Sequence, residues 1–368
     1  MKRTYSFVFA GGLALAVLAA GTQTSADAAL PRAKANPVRI GVQWLGQDKV
    51  EVIVTNTSRK TLRIPAWQLP SMAEDMQLFR ISRDGQPVQY LGKQVKRGLP
   101  SAADFAILRP SRSVRTVVSL AKSYDLSKAG TYTVAYAALT QYASLSGGEM
   151  LKQANGSPMV AQRAPIRIAL DAGLVSGTHV RSRGLPANPV LSDVLGVTYI
   201  GCSSTQIADN DKAMLSARSY TENAKGYLNA GTTGPRYTSW FGTYTSNRYA
   251  TAKQHFVAID AAMDQTGGQV SLNCTLSGCN SGVYAYVYSN LPYEIHLCSA
   301  YWSAPLVGTD SKAGTLIHEM SHFTVVAGTS DFVYGQTNAR NLANTNPDNA
   351  VNNADNHEYF SENTPAEN

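Results

Sequence analysis

The hydrophobic pattern of this chain changes period near its middle, and that change limits the folds open to it. Over residues 29–197, apolar and polar residues alternate in short runs such as Val38–Val42, which is typical of strands that bury one face. Residues 198–368 instead contain longer runs with helical spacing, such as 209–228. With 368 residues the chain is also too long for a single hydrophobic core. We therefore expect a multidomain protein, with an all-β, sandwich-like N-terminal domain followed by an α+β domain.

Other segments repeat these two patterns. The further strand-like runs are Val50–Val54, Phe79–Ser82, Val88–Tyr90, Thr131–Tyr136, Val283–Tyr288 and Glu294–Leu297, and the second helical run is 249–263. The tripeptide Arg83-Asp84-Gly85 between two of these runs predicts a β-hairpin. A loose stretch over 182–189, rich in Gly, Pro and Arg, predicts a linker, so we expect the domain boundary between about 175 and 197.

The first residues have the composition of a secretory signal. Lys2 and Arg3 precede an apolar run over 7–20, and Ala26-Asp27-Ala28 has the small-x-small form that signal peptidase cleaves after. The alternative is an N-terminal membrane anchor, but a membrane span needs about 20 apolar residues, and this run is shorter. We expect residues 1–28 to be a signal peptide, the protein to be secreted, and no membrane span elsewhere in the chain.

The net charge of +7 is divided unevenly between the two halves. Residues 1–195 carry 24 Lys and Arg against 11 Asp and Glu, whereas residues 196–368 carry 8 against 14. The basic residues of the first half are scattered and lack the interleaved aromatic side chains that single-stranded nucleic acid requires. We therefore set nucleic acid aside as a partner and interpret the opposite charges as an attraction between the halves.

All four cysteines, Cys202, Cys274, Cys279 and Cys298, lie in the acidic half. An even number of cysteines in an exported chain favours two disulfides, for which three pairings are open. The alternative is a zinc site built from four thiolates. Such a site usually contains two close cysteine pairs, whereas only Cys274 and Cys279 are close here.

The strongest chemical signal lies near the C-terminus. His318-Glu319-Met320-Ser321-His322 is an HExxH pattern in a segment that can form a helix, with Asp310 or Ser311 as N-cap and Gly328 as its stop. Because four residues are about one helical turn, the two histidines project from one face and can share a zinc ion. Glu319 then lies beside the metal, where its carboxylate can take a proton from zinc-bound water and pass it to a leaving amine.

A catalytic zinc site needs a third protein ligand and an open position for water. The HExxHxxGxxH pattern is absent, because no histidine follows His322 at that spacing. A turn after the helix can bring Asp331 back to the metal, and the phenol of Tyr334 can then donate a hydrogen bond to the oxyanion. A glutamate on a later helix, Glu358 or Glu362, is the alternative third ligand.

The HExxH motif is followed by GTSDFVYG at 328–335, which has the form GTxDxxYG. This combination resembles the aspzincin metalloendopeptidases, the deuterolysin-like family, and most of all their peptidyl-Lys metalloendopeptidase branch. The resemblance covers nearly all of residues 198–368, through TYIGC at 198–202, PRYTSWFG at 235–242, AYVY at 285–288 and NADNHEYF at 353–360.

The resemblance implies a zincin-type catalytic domain that acts on protein or peptide substrates with one catalytic zinc ion. It assigns His318, His322 and Asp331 as zinc ligands, Glu319 as general base and Tyr334 as hydrogen-bond donor to the transition state. It also implies the disulfides Cys202–Cys274 and Cys279–Cys298. The spacing of the two middle cysteines is wider here than the CxC of fungal members.

Members of the peptidyl-Lys branch accept lysine on the carboxyl side of the cut bond, in an acidic pocket. The resemblance assigns Asp355 to this pocket, and Glu358 lies about one helical turn further on. The alternative for these two carboxylates is a pattern like a capping box at a helix start.

The N-terminal half then has a role. We expect residues 29–197 to form a β-rich pro-domain plus linker, acting as intramolecular inhibitor or chaperone, and residues 198–368 to form the catalytic domain, so that the enzyme is made as a zymogen. No lysine occurs between Gln153 and Asp211, so cleavage near residue 197 requires another protease or a relaxed specificity. The alternative function is a secreted two-domain binding or adhesion protein with a structural metal site.

Overall fold

A computed structural model describes residues 36–171, 174, 189–192 and 195–368. The expected signal peptide at 1–28 and nearly all of the expected linker at 182–189 lie outside the described residues. Among the described residues, no helix has both the length and the apolar character that a membrane crossing requires.

The N-terminal part of the chain, residues 36–171, is built from strands with short 3-10 turns between them. Its strands are β1 (Val38–Gly46), β2 (Lys49–Asn56), β3 (Leu62–Pro65), β4 (Phe79–Arg83), β5 (Gln86–Pro87), β6 (Lys93–Arg97), β7 (Phe105–Leu108), β8 (Ser113–Ser119), β9 (Gly130–Leu139), β10 (Ser144–Leu145), β11 (Glu149–Met150), β12 (Val160–Gln162) and β13 (Ile166–Leu170).

All of these strands except β6 form three antiparallel sheets, ordered β1-β2-β8, β11-β10-β3-β7 and β12-β9-β4-β5, with β13 also paired to β9. The alternation seen in the sequence places Val50, Val52 and Val54 of β2 in the core. Asp84 and Gly85 make the tight β4–β5 turn with positive φ. The result is one hydrophobic core to which strands of all three sheets contribute.

The C-terminal part, residues 195–368 together with 189–192, mixes helices and strands as expected. Its strands are β14 (Val190–Leu191), β15 (Thr198–Ile200), β16 (Ser271–Asn273), β17 (Val283–Tyr288) and β18 (Glu294–Leu297). Its helices are α1 (Ser204–Asn229), α2 (Pro235–Phe241), α3 (Ser246–Met263), α4 (Ser299–Ser303), α5 (Lys312–His322), α6 (Gln336–Thr345), α7 (Pro347–Ala350) and α8 (Ala354–Glu362).

One sheet joins the two parts of the chain. Its order is β14-β15-β16-β18-β17-β6, with β15, β16 and β18 parallel and β17 antiparallel to both of its neighbours. The edge strand β6 belongs to the N-terminal part, and Val95 of β6 shares a small core with Tyr286 and Tyr288 of β17. The described residues from 36 onward accordingly pack as one compact unit, a connection that the hydrophobic pattern alone does not reveal.

Both disulfides lie in the C-terminal part. The structure pairs Cys202 with Cys274 and Cys279 with Cys298, which is the pairing that the resemblance implies. The first bridge ties the start of α1 to the end of β16, and the second ties the turn before β17 to the end of β18. Both therefore brace the sheet on which the site is built.

Candidate metal centre and substrate cleft

Helix α5 carries the HExxH motif, and all of its residues are buried. Ser311 is its N-cap, because the Ser311 side chain accepts a hydrogen bond from the Gly314 amide at 2.9 Å. The helix ends at His322, earlier than the expected stop at Gly328. The chain leaves the helix at Phe323 and turns over the next five residues to Gly328, which has a positive φ of 62°.

Two histidines of α5 and one aspartate of the following loop converge on one point. Oδ1 of Asp331 lies 3.2 Å from Nε2 of His318 and 3.4 Å from Nε2 of His322. Ligand atoms around a tetrahedral zinc ion lie about 3.3–3.4 Å apart when each bond is about 2.0–2.1 Å. None of these three atoms has a hydrogen bond within the described part of the chain, so their spacing and unused lone pairs fit a zinc ion.

Both imidazoles are oriented by partners on the side away from this point. Nδ1 of His322 lies 2.9 Å from the Thr329 carbonyl oxygen, and Nδ1 of His318 lies 2.9 Å from Oδ1 of Asp355. A proton held at each Nδ1 by these acceptors leaves the Nε2 lone pair facing the centre, as metal-binding histidines require.

The surrounding charges favour a cation at this centre. Burial opposes ionisation of Asp331, but His322 and His318 outweigh it and hold the pKa of Asp331 well below its usual range. Burial likewise lowers the pKa of His318, yet Asp331, Asp355 and Glu358 together raise it well above its usual value. Three carboxylates around two imidazoles therefore stabilise positive charge here.

Glu319 lies beside this group and is completely buried. Its Oε1 accepts a hydrogen bond from the backbone amide of Lys96 at 3.2 Å, and its Oε2 has no hydrogen bond among the described residues. Burial raises the pKa of Glu319 to about 7, although His318 and His322 lower it. A carboxylate with such a pKa can both take up and release a proton near neutral pH.

Tyr334 is held in place through its backbone. Its amide donates to Oε1 of Gln141 at 3.0 Å, and its carbonyl accepts from Nε2 of Gln141 at 2.6 Å and from the Tyr142 hydroxyl at 3.1 Å. Burial raises the pKa of Tyr334 well above its usual value, and the charge on Asp331 raises it further. The phenol is therefore neutral and able to donate.

Asn353, the first residue of the NADNHEYF segment, positions the loop that carries Asp331. Its Oδ1 accepts from the amides of Phe332 at 2.8 Å and Val333 at 3.2 Å, and its Nδ2 donates to the Val333 carbonyl at 3.2 Å. The sequence does not indicate this role, because an asparagine at the start of a helix such as α8 is an ordinary N-cap.

Asp355 and Glu358 lie on α8 and have different contacts. Asp355 contacts His318 and also accepts the Gly335 amide at 2.6 Å. Oε2 of Glu358 lies 2.5 Å from the Lys96 ammonium and 3.3 Å from Nδ1 of His318. The two carboxylates thus do not form a capping box.

The acidic pocket beside the centre is filled by Lys96, which is 1% exposed. Its ammonium contacts Glu358 and lies 3.3 Å from Oδ1 of Asp310. The rings of Tyr284 and Tyr359 lie 5.2 and 5.8 Å from the same ammonium, within cation–π range. Burial opposes the charge, but Glu358, Asp355 and Asp310 raise the pKa of Lys96 well above its usual value, so it is charged.

The remaining candidate groups lie away from the three converging atoms. Glu362, an alternative third ligand, accepts from the amide and hydroxyl of Ser311 at 2.9 and 2.8 Å and so supports the start of α5. Nδ1 of His255 lies 3.0 Å from Nε2 of His357, and His296 stacks on Tyr286. Among the described residues, none of these three histidines belongs to a group of side chains that could hold a metal ion.

Comparisons with known proteins agree with this geometry. Residues 227–362 match the aspzincin family model, described as lysine-specific metallo-endopeptidase. An extracellular protease of Aeromonas hydrophila is 41% identical over 322 residues, which cover 87% of this chain and 89% of that relative. A peptidyl-Lys metalloendopeptidase of Grifola frondosa is 37% identical over 335 residues, with the same coverage of 87% and 89%.

A peptidyl-Lys metalloendopeptidase of Pleurotus ostreatus is 48% identical over 171 residues, which cover 46% of this chain and 98% of that relative. Among solved structures, a zinc peptidase from Grifola frondosa is 46% identical and covers 45% of this chain and 100% of its own, with a TM-score of 0.43. The chain belongs to the aspzincin family and is a zinc metalloendopeptidase similar to the peptidyl-Lys metalloendopeptidases.

Proposed function

We propose that this protein is a secreted zinc endopeptidase, made as a zymogen, that cuts peptide bonds on the amino side of lysine. The observation that carries the lysine preference is the buried Lys96 ammonium between Glu358 and Asp310, next to Glu319. Relatives named peptidyl-Lys metalloendopeptidase support the same preference. Since the relatives named above are proteases, the alternative of a binding or adhesion protein is not favoured.

His318, His322 and Asp331 are the proposed ligands of one zinc ion. When bound, zinc supplies a water of lowered pKa and an electrophile that polarises the scissile carbonyl. Thr329 and Asp355 fix the two imidazoles from behind, which preserves the geometry of the centre through the reaction.

Glu319 is the proposed general base. It takes the proton from the attacking water and delivers it to the leaving nitrogen. A backbone amide nitrogen already lies 3.2 Å from its Oε1, within reach of that transfer. Tyr334, neutral because burial raises its pKa, donates a hydrogen bond to the oxyanion that forms at the carbonyl.

Glu358 and Asp355 are the proposed substrate-binding carboxylates, with Asp310 as a third member of the pocket. Glu358 and Asp310 contact the Lys96 ammonium directly. Asp355 adds negative charge beside it while orienting His318. A lysine side chain is long enough to place its ammonium here while its backbone lies at Glu319, as Lys96 demonstrates.

Residues 29–197 are the proposed pro-domain and linker, and 198–368 the catalytic domain. Support comes from β6, which covers the edge strand β17 and fills the pocket. A peptide substrate needs the same edge and the same pocket, so the full chain is blocked. Secretion by a signal at 1–28 is supported by the extracellular relative.

The test is digestion of a mixed peptide library by the matured protein, with identification of the residues on both sides of every cut. We expect cuts before lysine that disappear with a chelator and in Glu319→Gln. Cuts without residue preference would remove the lysine pocket from the proposal. Absence of cleavage by every processed form would favour the binding-protein alternative.

A further inference from the structure

Strand β6 lies in the cleft in the manner of a substrate. It pairs antiparallel with the edge strand β17, with Val95 opposite Tyr286 and Lys96 opposite Ala285. Addition of an extended segment to an exposed sheet edge is a common way to bind peptides, in which backbone hydrogen bonds fix the register and pockets read the side chains. Here the register places the middle of β6 against the metal centre.

Two consecutive amides of β6 contact the catalytic groups. The Val95 amide donates to Oδ2 of Asp331 at 2.9 Å, and the Lys96 amide donates to Oε1 of Glu319 at 3.2 Å. In peptide hydrolysis the general base passes its proton to the nitrogen of the bond that breaks. The nitrogen that lies at Glu319 belongs to the Val95–Lys96 bond.

The side-chain pocket selects the same bond independently. β6 carries three cations, and Lys96 alone enters the acidic pocket. Lys93 pairs with Asp75 at 2.9 Å, and the Arg97 guanidinium lies over the Trp67 ring, with its central carbon 5.0 Å from the ring centroid. The residue in the lysine pocket is therefore also the residue whose amide faces the base.

We propose that Val95–Lys96 is the first bond that the protein cuts in itself, so that the N-terminal part is held in the cleft as an internal substrate. This inference rests on the proposed function. Hydrolysis adds one water to the bond: the hydroxyl goes to the Val95 carbonyl carbon and a proton goes to the Lys96 nitrogen. The products are an α-carboxylate on Val95 and an α-amine on Lys96, and no other reactant is needed.

The cut chain stays assembled after this reaction. The core of the N-terminal part contains residues from both sides of the cut, including Val50 and Val52 before it and Tyr132 and Val134 after it. Cleavage is therefore detectable only after denaturation. The cut at Val95–Lys96 precedes the processing near residue 197. That processing is a separate event, because the chain has no lysine between Gln153 and Asp211.

The experiment compares full-length wild type, Glu319→Gln, Lys96→Gln and Lys93→Gln, purified without metal and then given zinc. Samples are denatured at intervals and analysed by intact mass and N-terminal sequencing. We expect a new N-terminus at Lys96 as the first product from wild type and Lys93→Gln, and none there from Glu319→Gln or Lys96→Gln. A first cut elsewhere, or an uncut 95–96 bond in protein whose matured form cleaves peptides, would overturn the inference while leaving the proposed function intact. Absence of peptidase activity in every form would overturn both.

A second measurement does not depend on turnover or on a variant at Lys96. Zinc-free Glu319→Gln is treated with a limiting amine-acylating reagent, and each lysine is quantified by peptide mass spectrometry. We expect Lys96 to react at least about tenfold more slowly than Lys60 and Lys122, because its ammonium is buried and paired. Equal reactivity of these lysines would show that Lys96 does not occupy the pocket, and would overturn the inference.

Discussion

Asp355 makes two contacts that place it behind the metal centre. Its Oδ1 lies 2.9 Å from Nδ1 of His318 and its Oδ2 accepts a hydrogen bond from the Gly335 amide, whereas the closest anions of Lys96 are Glu358 and Asp310. A carboxylate in this position raises the basicity of the imidazole and fixes its tautomer. Asp355 therefore acts on the Lys96 ammonium mainly through its negative charge, without direct contact.

Asp355→Asn tests this arrangement at a single residue. We expect zinc affinity to fall by about 10–100-fold, because an amide lacks the negative charge that the carboxylate places 2.9 Å from Nδ1 of His318. Competition with a chromogenic chelator measures the affinity. Asp310→Asn is the matched control, since it removes one anion from the pocket, and its zinc affinity should match wild type. Unchanged zinc affinity in Asp355→Asn together with lost lysine preference would place Asp355 in the pocket alone.

Glu358→Gln removes the closest anion of Lys96. Breaking a buried ion pair costs about 3–5 kcal/mol of folding free energy, because the remaining charge is left without its partner. In the inactive Glu319→Gln chain we therefore expect a clear drop in the free energy of unfolding, measured by urea denaturation. Lys96→Gln added to Glu358→Gln should restore part of the loss, and strictly additive losses would contradict a direct pair.

Helices α3 and α8 meet at a pair of neutral histidines, His255 and His357. Burial is the main cause that lowers the pKa of His255 to about 4 and that of His357 to about 3. In the unfolded chain a histidine titrates near 6.5. As the pH falls from 6.5 towards 4, the unfolded state binds protons that the folded state does not, so the free energy of unfolding decreases.

His255→Gln should reduce this pH dependence. Between pH 7.5 and pH 4.5, we expect the free energy of unfolding of the variant to fall by about 2 kcal/mol less than that of wild type. The reason is that one of the two histidines that bind a proton on unfolding is absent. Thermal unfolding at both pH values, in metal-free protein, measures the change. A constant difference between variant and wild type across this range would show that His255 is protonated in the folded state.

Elements with strong local patterns are predictable from the sequence, and β6 is not. The strand-like runs at 283–288 and 294–297 coincide with β17 and β18, and the two helical runs lie within the slightly longer α1 and α3. The segment KQVKR of β6 has a single aliphatic residue, and its partner β17 lies almost 200 residues later. Its strand character comes from that pairing, which local propensity does not contain.

The candidate site likewise contains residues that the sequence predicts and one residue that it does not. The HExxH spacing and the GTxDxxYG sequence predict the residues that the structure brings together, because their geometry follows from one helix and one turn. Lys96 could not be predicted, since its two partners are 262 and 214 residues away. A lone lysine in a basic segment carries no signal of such a contact.

The whole molecule joins a basic part to an acidic part, yet the joint depends little on net charge. Within the described residues, the ion pairs between the two parts both involve Lys96. The other contacts across the joint include the β6–β17 ladder, the hydrogen bonds of Gln141 to the Tyr334 backbone, and hydrogen bonds with one charged partner, such as those from the Val95 and Lys96 amides to Asp331 and Glu319. Salt screens exposed charges strongly but a buried pair only weakly.

This distribution predicts that the full chain stays blocked at high salt. In zinc-loaded Glu319→Gln, a fluorescent lysine peptide should not bind at about 0.1 M salt, and raising salt to about 1 M, where the screening length is about 3 Å, should not admit it. Adding Lys96→Gln should not by itself admit the peptide, because β6 still covers the edge strand β17, whereas the matured chain, which lacks β6, should bind it at both salt concentrations. Fluorescence anisotropy measures the binding. Peptide affinity that rises steeply with salt would mean that attraction between the net charges holds the two parts together, and equal binding by the full and the matured chains would mean that the N-terminal part does not block the site.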